Sequence, residues 1–232
     1  MSFNFKQFSI QDSNSAMKVG VDAVLLGAWA DAVDCRKVLD LGAGTGIVSL
    51  MLAQRNATAQ IDCLELNNDA FIDLQHNIKE SNWSNRLNAI NADFLEYDFP
   101  SQYDFIISNP PFFKPSDSKI NSNRKTARIA DSLSPDILSS KVSDIISDAG
   151  RFVIIYPFER RLFFIKAAFA NGLYMYKQLI IYDTKSNPPV RCILCFTKET
   201  VMSVSHESII MKKENGNYTE EFKKLTKEFY IK

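Results

Sequence analysis

The chain has 232 residues with 27 Lys/Arg against 27 Asp/Glu, so its overall charge selects no class of partner. A hydrophobic content of 46% supplies a full core at this length, and no apolar run approaches the ~20 residues that cross a bilayer. The charge is unevenly divided: residues 1–116 carry 8 Lys/Arg against 14 Asp/Glu and residues 117–232 carry 19 against 13, so an anionic partner meets the second half first.

Residues 1–20 set Phe3, Phe5 and Phe8 among polar residues and read as an irregular arm without the pattern of a secretory leader. A short apolar helix is expected over residues 21–29. A buried strand over 38–41 runs into Gly42-Ala43-Gly44-Thr45-Gly46, and residues 47–54 follow with helical spacing. A second strand at 61–64 and a helix at 69–80 come next, then strands at 87–91 and 103–108. Residues 109–132 hold prolines, serines and cations without a period, a long loop of the kind that carries function. A helix over 137–148 ended by Gly150, a strand at 151–156, a helix at 159–170 and a strand at 190–197 complete the regular part. A last helix is expected over 218–230.

Alternating strands and helices predict one α/β domain, a Rossmann-like, mostly parallel seven-stranded sheet with helices on both faces. Residues 1–35 form its arm and first helix, 36–199 its core and 200–232 an extension. Four cysteines make no disulfide framework, which suits a reducing cytoplasm. Cys192 and Cys195 have the spacing of half a zinc site, but they lie in an apolar strand and neither His76 nor His206 stands at ligand spacing; no metal is expected.

In such sheets ligands gather at the carboxyl ends of the strands. Four polar points fall there: Asp40 with the glycine loop, Glu65, Asp93 and Asn109. Gly42, Gly44 and Gly46 let backbone approach a ligand closely as the next helix begins. A dinucleotide fingerprint needs its third glycine at position 47, where this chain has Ile47, and no basic residue follows for a pyrophosphate. Glu65 is placed to accept from ribose hydroxyls and Asp93 from an adenine amino group. Any one of these is ordinary as a structural feature; together they point to an adenosyl ligand.

Asn109-Pro110-Pro111-Phe112 bears on the reaction. The prolines fix φ and remove two N–H donors. The Asn109 side-chain oxygen and the Pro110 carbonyl then offer acceptors for both hydrogens of a planar exocyclic amine, and Phe112 a ring to stack on. Two acceptors stabilise the positive charge that develops as such a nitrogen attacks a sulfonium methyl. Read blandly, the same residues are a proline turn with Phe112 in the core.

With these residues assembled, the chain resembles class I S-adenosylmethionine-dependent methyltransferases carrying an amino-methyltransferase turn. Phe5-Lys6-Gln7-Phe8, Met17-Lys18-Val19-Gly20-Val21-Asp22, Leu25-Leu26-Gly27-Ala28-Trp29, Arg124 with Ala127-Arg128, and Asn217-Tyr218-Thr219 narrow this to the bacterial tRNA1(Val) adenine N6-methyltransferase family. Val21 stands where many relatives have Thr. The resemblance implies an enzyme that methylates N6 of the adenosine at position 37, beside the anticodon of a valine tRNA; a monomer is the default expectation. It implies that Asn109, Pro110, Pro111 and Phe112 hold the base. Asp40, Gly42, Gly44 and Gly46 then frame the methionine end of the cofactor, Glu65 its ribose and Asp93 its adenine, with Lys18 and Asp22 closing the site. Lys119, Arg124, Lys125, Arg128, Arg160 and Arg161 are the cations expected to meet RNA phosphates, supported by Lys212, Lys213, Lys223, Lys224 and Lys227.

Three other readings stay open on residue chemistry alone: a guanine-N2 enzyme, a glutamine enzyme, and an RNA-binding module of the same fold. About 38 residues before the first cofactor strand are too few for the helical domain that glutamine enzymes usually add.

Overall fold

The computed structural model describes residues 2–15, 18–111 and 134–231. Ten strands and six α-helices are formed among the described residues. A two-stranded antiparallel ribbon, β1 (Ser2–Asn4) and β2 (Ser9–Gln11), leads to α1 (Val21–Trp29). Then come β3 (Lys37–Leu41), α2 (Ile47–Arg55), β4 (Gln60–Glu65), α3 (Asn68–Lys79), β5 (Leu87–Asn91) and β6 (Tyr103–Ser108). The remainder is α4 (Pro135–Ile145), β7 (Ile146–Pro157), α5 (Arg161–Ala170), β8 (Tyr174–Tyr182), β9 (Pro189–Thr197), β10 (Ser205–Ile210) and α6 (Glu220–Thr226).

The main sheet has the order β10-β8-β9-β7-β6-β3-β4-β5. All neighbouring pairs are parallel except the two that involve β9. The Rossmann-like expectation holds, but with eight strands rather than seven. The eighth is β10, where the polar run Ser205-His206-Glu207-Ser208 hides the strand: it sits at the sheet edge with these side chains exposed. Strand β8 also escapes the sequence pattern, because Lys177 and Gln178 interrupt its apolar residues. The helix expected through residue 148 ends at Ile145, and β7 begins at once and runs through Gly150. Gly150 is there for close approach rather than to cap a helix: a Cβ would come 2.5 Å from Ile146 Cγ1.

Strand alternation divides the core in two. Val38, Ile61, Phe105, Ile107, Val153 and Ile193 face α1, α2, α3, the N-terminal ribbon and α6. Leu39, Leu41, Ile106, Phe152, Ile154 and Leu194 face α4 and α5. The same alternation separates Cys192 and Cys195, which lie three residues apart and enter opposite cores. Both thiols are buried and free, and burial pushes each up to about 12. They cannot share one metal ion.

The arm packs against the C-terminal segment. Phe5 stacks on Phe8, centroids 4.7 Å apart, and on Tyr230 at 5.9 Å, and Lys6 N donates to Phe229 O at 2.8 Å.

Candidate functional site

Strand order reverses at β3: the chain goes from β3 outward to β4 and β5, then returns to place β6 on the other side of β3. Crevices form at such switch points, outside the carboxyl ends of the strands. Leu41 is in register with both Leu64 and Ser108, and Glu65 with Asn91. The glycine loop, Glu65, Asp93 and Asn109 therefore leave the sheet along one edge, on adjacent strands. Ser108 Oγ donates to Leu41 O at 2.8 Å and joins the two strand ends across the switch point.

Gly42, Gly44 and Gly46 have φ of 74°, 57° and 83°, the left-handed region that side chains disfavour. A Cβ on Gly42 or Gly44 would meet nothing within 4 Å, so the loop is open there; on Gly46 it would come 2.7 Å from Leu74 Cδ1. The first two glycines thus present bare backbone outward and the third seats the loop on α3. Gly42 N and Ala43 N donate to Leu64 O, each at 2.9 Å. Glu65 Oε2 accepts from Gly44 N at 2.8 Å and Oε1 from Asn67 N at 2.7 Å. One carboxylate thereby sets both the loop and the start of α3, and each oxygen keeps a further acceptor position.

Asp40 lies under the cradle rather than in it. Its side chain is buried at 1% exposure and accepts from Ser49 Oγ at 2.5 Å, tying β3 to the first turn of α2. Burial pushes its carboxyl up to about 7, with the Ser49 hydrogen bond opposing and the Glu65 charge adding to the rise. Asp93, half-buried beyond β5, accepts from Leu95 N at 2.9 Å. Lys18 turns its ammonium onto the carbonyls of Asp12 and Ser15, and Asp22 at the start of α1 pairs with Arg191 Nε on β9 at 3.0 Å. Asn109 and Pro111 are half-buried and Pro110 buried, directly after β6.

Phe112, Lys119, Arg124, Lys125 and Arg128 lie outside the described residues. Arg160 and Arg161 do not. Arg160 ends a 3-10 turn (Phe158–Arg160) at the carboxyl end of β7, the strand beside β6, and Arg161 follows it as the first residue of α5. Arg161 is held ready, its guanidinium 3.6 Å from the Phe158 ring centroid and donating to Phe158 O at 2.9 Å. Lys212 and Lys223 instead meet nearby carboxylates, Asp183 at 3.0 Å and Glu220 at 2.9 Å.

Sequence reasoning missed Asp73 and Asn77, both buried on α3. A signal was present. The buried stripe of α3 is Ala70, Asp73, Leu74, Asn77 and Ile78, so two polar residues sit at core spacing on an amphipathic helix.

Residues 15–133 match the family model of the methyltransferase small domain. The chain is 39% identical to the tRNA1(Val) (adenine(37)-N6)-methyltransferase of Aliivibrio fischeri, an alignment covering 99% of this chain and 97% of that one. It is 38% identical to the protein of the same name from Bacteroides fragilis, covering 99% and 98%. Among solved structures, a predicted O-methyltransferase from Agrobacterium tumefaciens superposes with a TM-score of 0.69 at 19% identity, covering 89% of this chain and 96% of that chain. A glycopeptide N-methyltransferase complexed with S-adenosylmethionine gives 0.52 at 9% identity, covering 71% and 87%. These two likenesses are of fold.

Proposed function

Because the chain belongs to the tRNA1(Val) (adenine(37)-N6)-methyltransferase family, we propose that it methylates the N6 amino group of adenosine 37 in tRNA1(Val), with S-adenosylmethionine on the glycine cradle and Asn109, Pro110, Pro111 and Phe112 around the base. The observation that carries this reading is the meeting of an open, left-handed glycine loop, the Glu65 carboxylate and the Asn109-Pro110 turn at one switch point.

The cradle fits the cofactor. Bare backbone at Gly42 and Gly44 admits its methionine end, Glu65 has acceptor capacity for ribose hydroxyls, and Asp93 stands one strand further out for the adenine amino group. Asp40 supports this end from below through Ser49, and Lys18 and Asp22 hold the segment that borders it. When bound, S-adenosylmethionine supplies an electrophilic methyl group on a sulfonium centre.

The protein's own contribution is to make a poor nucleophile attack in line. The adenine amine is deactivated because its lone pair is delocalised into the ring. Asn109 Oδ1 and the Pro110 carbonyl accept its two hydrogens, which orients the lone pair and stabilises positive charge on nitrogen as the N–C bond forms and the S–C bond breaks. Both acceptors are fixed before reaction, since the prolines allow the turn little freedom. Phe112 stacks on the base. The extra proton leaves to water, so no side chain is required as general base. Arg160 and Arg161, with Lys119, Arg124, Lys125 and Arg128, engage phosphates around a loop whose bases are already partly unstacked, so turning one into the pocket costs only a few kcal/mol. On this reading the protein works in the cytoplasm as a monomer.

Methyl transfer from labelled S-adenosylmethionine to tRNA lacking the modification, followed by nucleoside mass spectrometry, tests it. N6-methyladenosine in tRNA1(Val) is expected. Methylated guanosine would move the substrate to the N2 class, and no label in tRNA would overturn the assignment.

A further inference from the structure

We propose that Asn77 is a positioning residue that couples docking of the N-terminal arm to the cofactor cradle, so that arm and cofactor each strengthen the hold of the other. The inference rests on the cofactor reading of the glycine loop. Its basis is one side-chain amide, 2% exposed, that serves both elements. Asn77 Oδ1 accepts from Gln11 N at 2.8 Å, while Nδ2 donates to Gln11 O and to Thr45 O, each at 2.9 Å. Gln11 ends β2 in the arm; Thr45 lies inside the glycine loop.

Two neighbours on α3 extend the same arrangement. One turn earlier, Asp73 is 0% exposed and accepts from Asn14 N at 2.9 Å, Asn14 Nδ2 at 2.7 Å and Ser15 N at 2.8 Å. Between them Leu74 packs against Gly46. The stretch of helix that seats the cradle therefore also seats the arm. If the arm lifts, Asp73 and Asn77 lose partners for buried polar groups, so release is unfavourable and tends to be all-or-none. A ligand that fixes the Thr45 carbonyl holds the Asn77 amide in the orientation Gln11 needs. By linkage the effect is mutual: whatever factor the docked arm adds to ligand affinity, the ligand adds to arm docking.

The test uses S-adenosylhomocysteine as ligand and two readouts, calorimetric affinity and amide hydrogen exchange over residues 11–15, neither of which requires turnover. Saturating ligand should slow exchange in the arm at least about fivefold, the lower end of ordinary coupling. Asp73→Asn removes acceptors from the arm without touching the glycine loop, and should weaken ligand binding by a similar factor. Asn77→Asp keeps the bond from Gln11 N and loses both donated bonds; it should weaken binding and abolish the ligand's effect on exchange. Unchanged arm exchange on ligand binding, or an Asp73→Asn protein with a loosened arm and unaltered affinity, overturns the proposal. Should Asp73→Asn fail to fold, the exchange comparison on the unaltered protein decides alone. An unaltered protein that does not bind S-adenosylhomocysteine refutes the cofactor reading instead.

Discussion

Ser49 and Asp40 share a 2.5 Å hydrogen bond in the protein interior, where the carboxyl is pushed up to about 7 by burial. A carboxyl raised in the folded state binds its proton where the unfolded chain has already lost it. Its stabilising contribution is complete below about pH 4 and is lost as pH rises to 7. Relative to Asp40→Asn, the unaltered protein should therefore lose unfolding free energy across this window, by at most about 1.4 kcal/mol per pH unit. Urea denaturation of both proteins at several pH values checks this; parallel profiles would refute it.

Gly44→Ala and Gly46→Ala should part company. At Gly44 the new methyl group meets nothing within 4 Å, so the fold bears only the backbone strain of φ 57°, about 1–2 kcal/mol. The methyl group does enter the cradle, and S-adenosylhomocysteine affinity should fall at least about tenfold. At Gly46 the same strain is joined by a clash with Leu74, so thermal stability should fall further than in Gly44→Ala. Calorimetry and thermal melts separate the two effects.

Asn109→Ala should lower turnover by about 10²–10³, the usual cost of removing one preorganised partner of a developing charge. S-adenosylhomocysteine affinity and tRNA affinity should hardly change. Asn109→Asp retains an acceptor and should keep more turnover than Asn109→Ala. Single-turnover methyl transfer with separately measured binding gives the comparison, and equal loss in both variants would count against the acceptor role.

These predictions draw on residues that differ in how visible they are from the chain alone. The end of β6 follows directly from an apolar run closed by Ser108 and the Asn109-Pro110 turn, and α1 and β5 are found at the bounds expected for them. The cradle is equally legible, because three glycines between a strand and a helix announce unusual backbone. Strand β10 is not, since the polar run Ser205-His206-Glu207-Ser208 fills most of it and leaves only Ile209 and Ile210 as apolar signal before it pairs with β8 at the sheet edge. Nor is the placement of Asp40: its type suggests a ligand contact, and only tertiary packing reveals that Ser49 takes the carboxylate inward. Asp73 and Asn77 fail for a related reason. Their partners lie 32 to 66 positions away, and helix periodicity cannot identify such partners.

Arg160→Gln with Arg161→Gln should raise KM for tRNA several-fold and leave KM for S-adenosylmethionine unchanged. Each phosphate contact removed should also flatten the dependence of log affinity on log salt by about 0.7–0.9. Arg161 should account for more of the loss, because its contacts with Phe158 hold the guanidinium in place before RNA arrives. An unaltered salt slope would exclude these arginines from the RNA contact.

The stack of Phe5 on Tyr230 joins positions 225 apart in the chain. Ribosomes deliver the first long before the second, so Phe5 can close on Phe8 at once but lacks the Tyr230 ring until translation has passed residue 230. The hydrogen bonds of the arm to Asp73 and Asn77 need only α3, whereas this ring contact can form only after the strands that carry the cradle have been made. A chain that stops short of residue 230 would leave uncovered the side of Phe5 on which Tyr230 stacks.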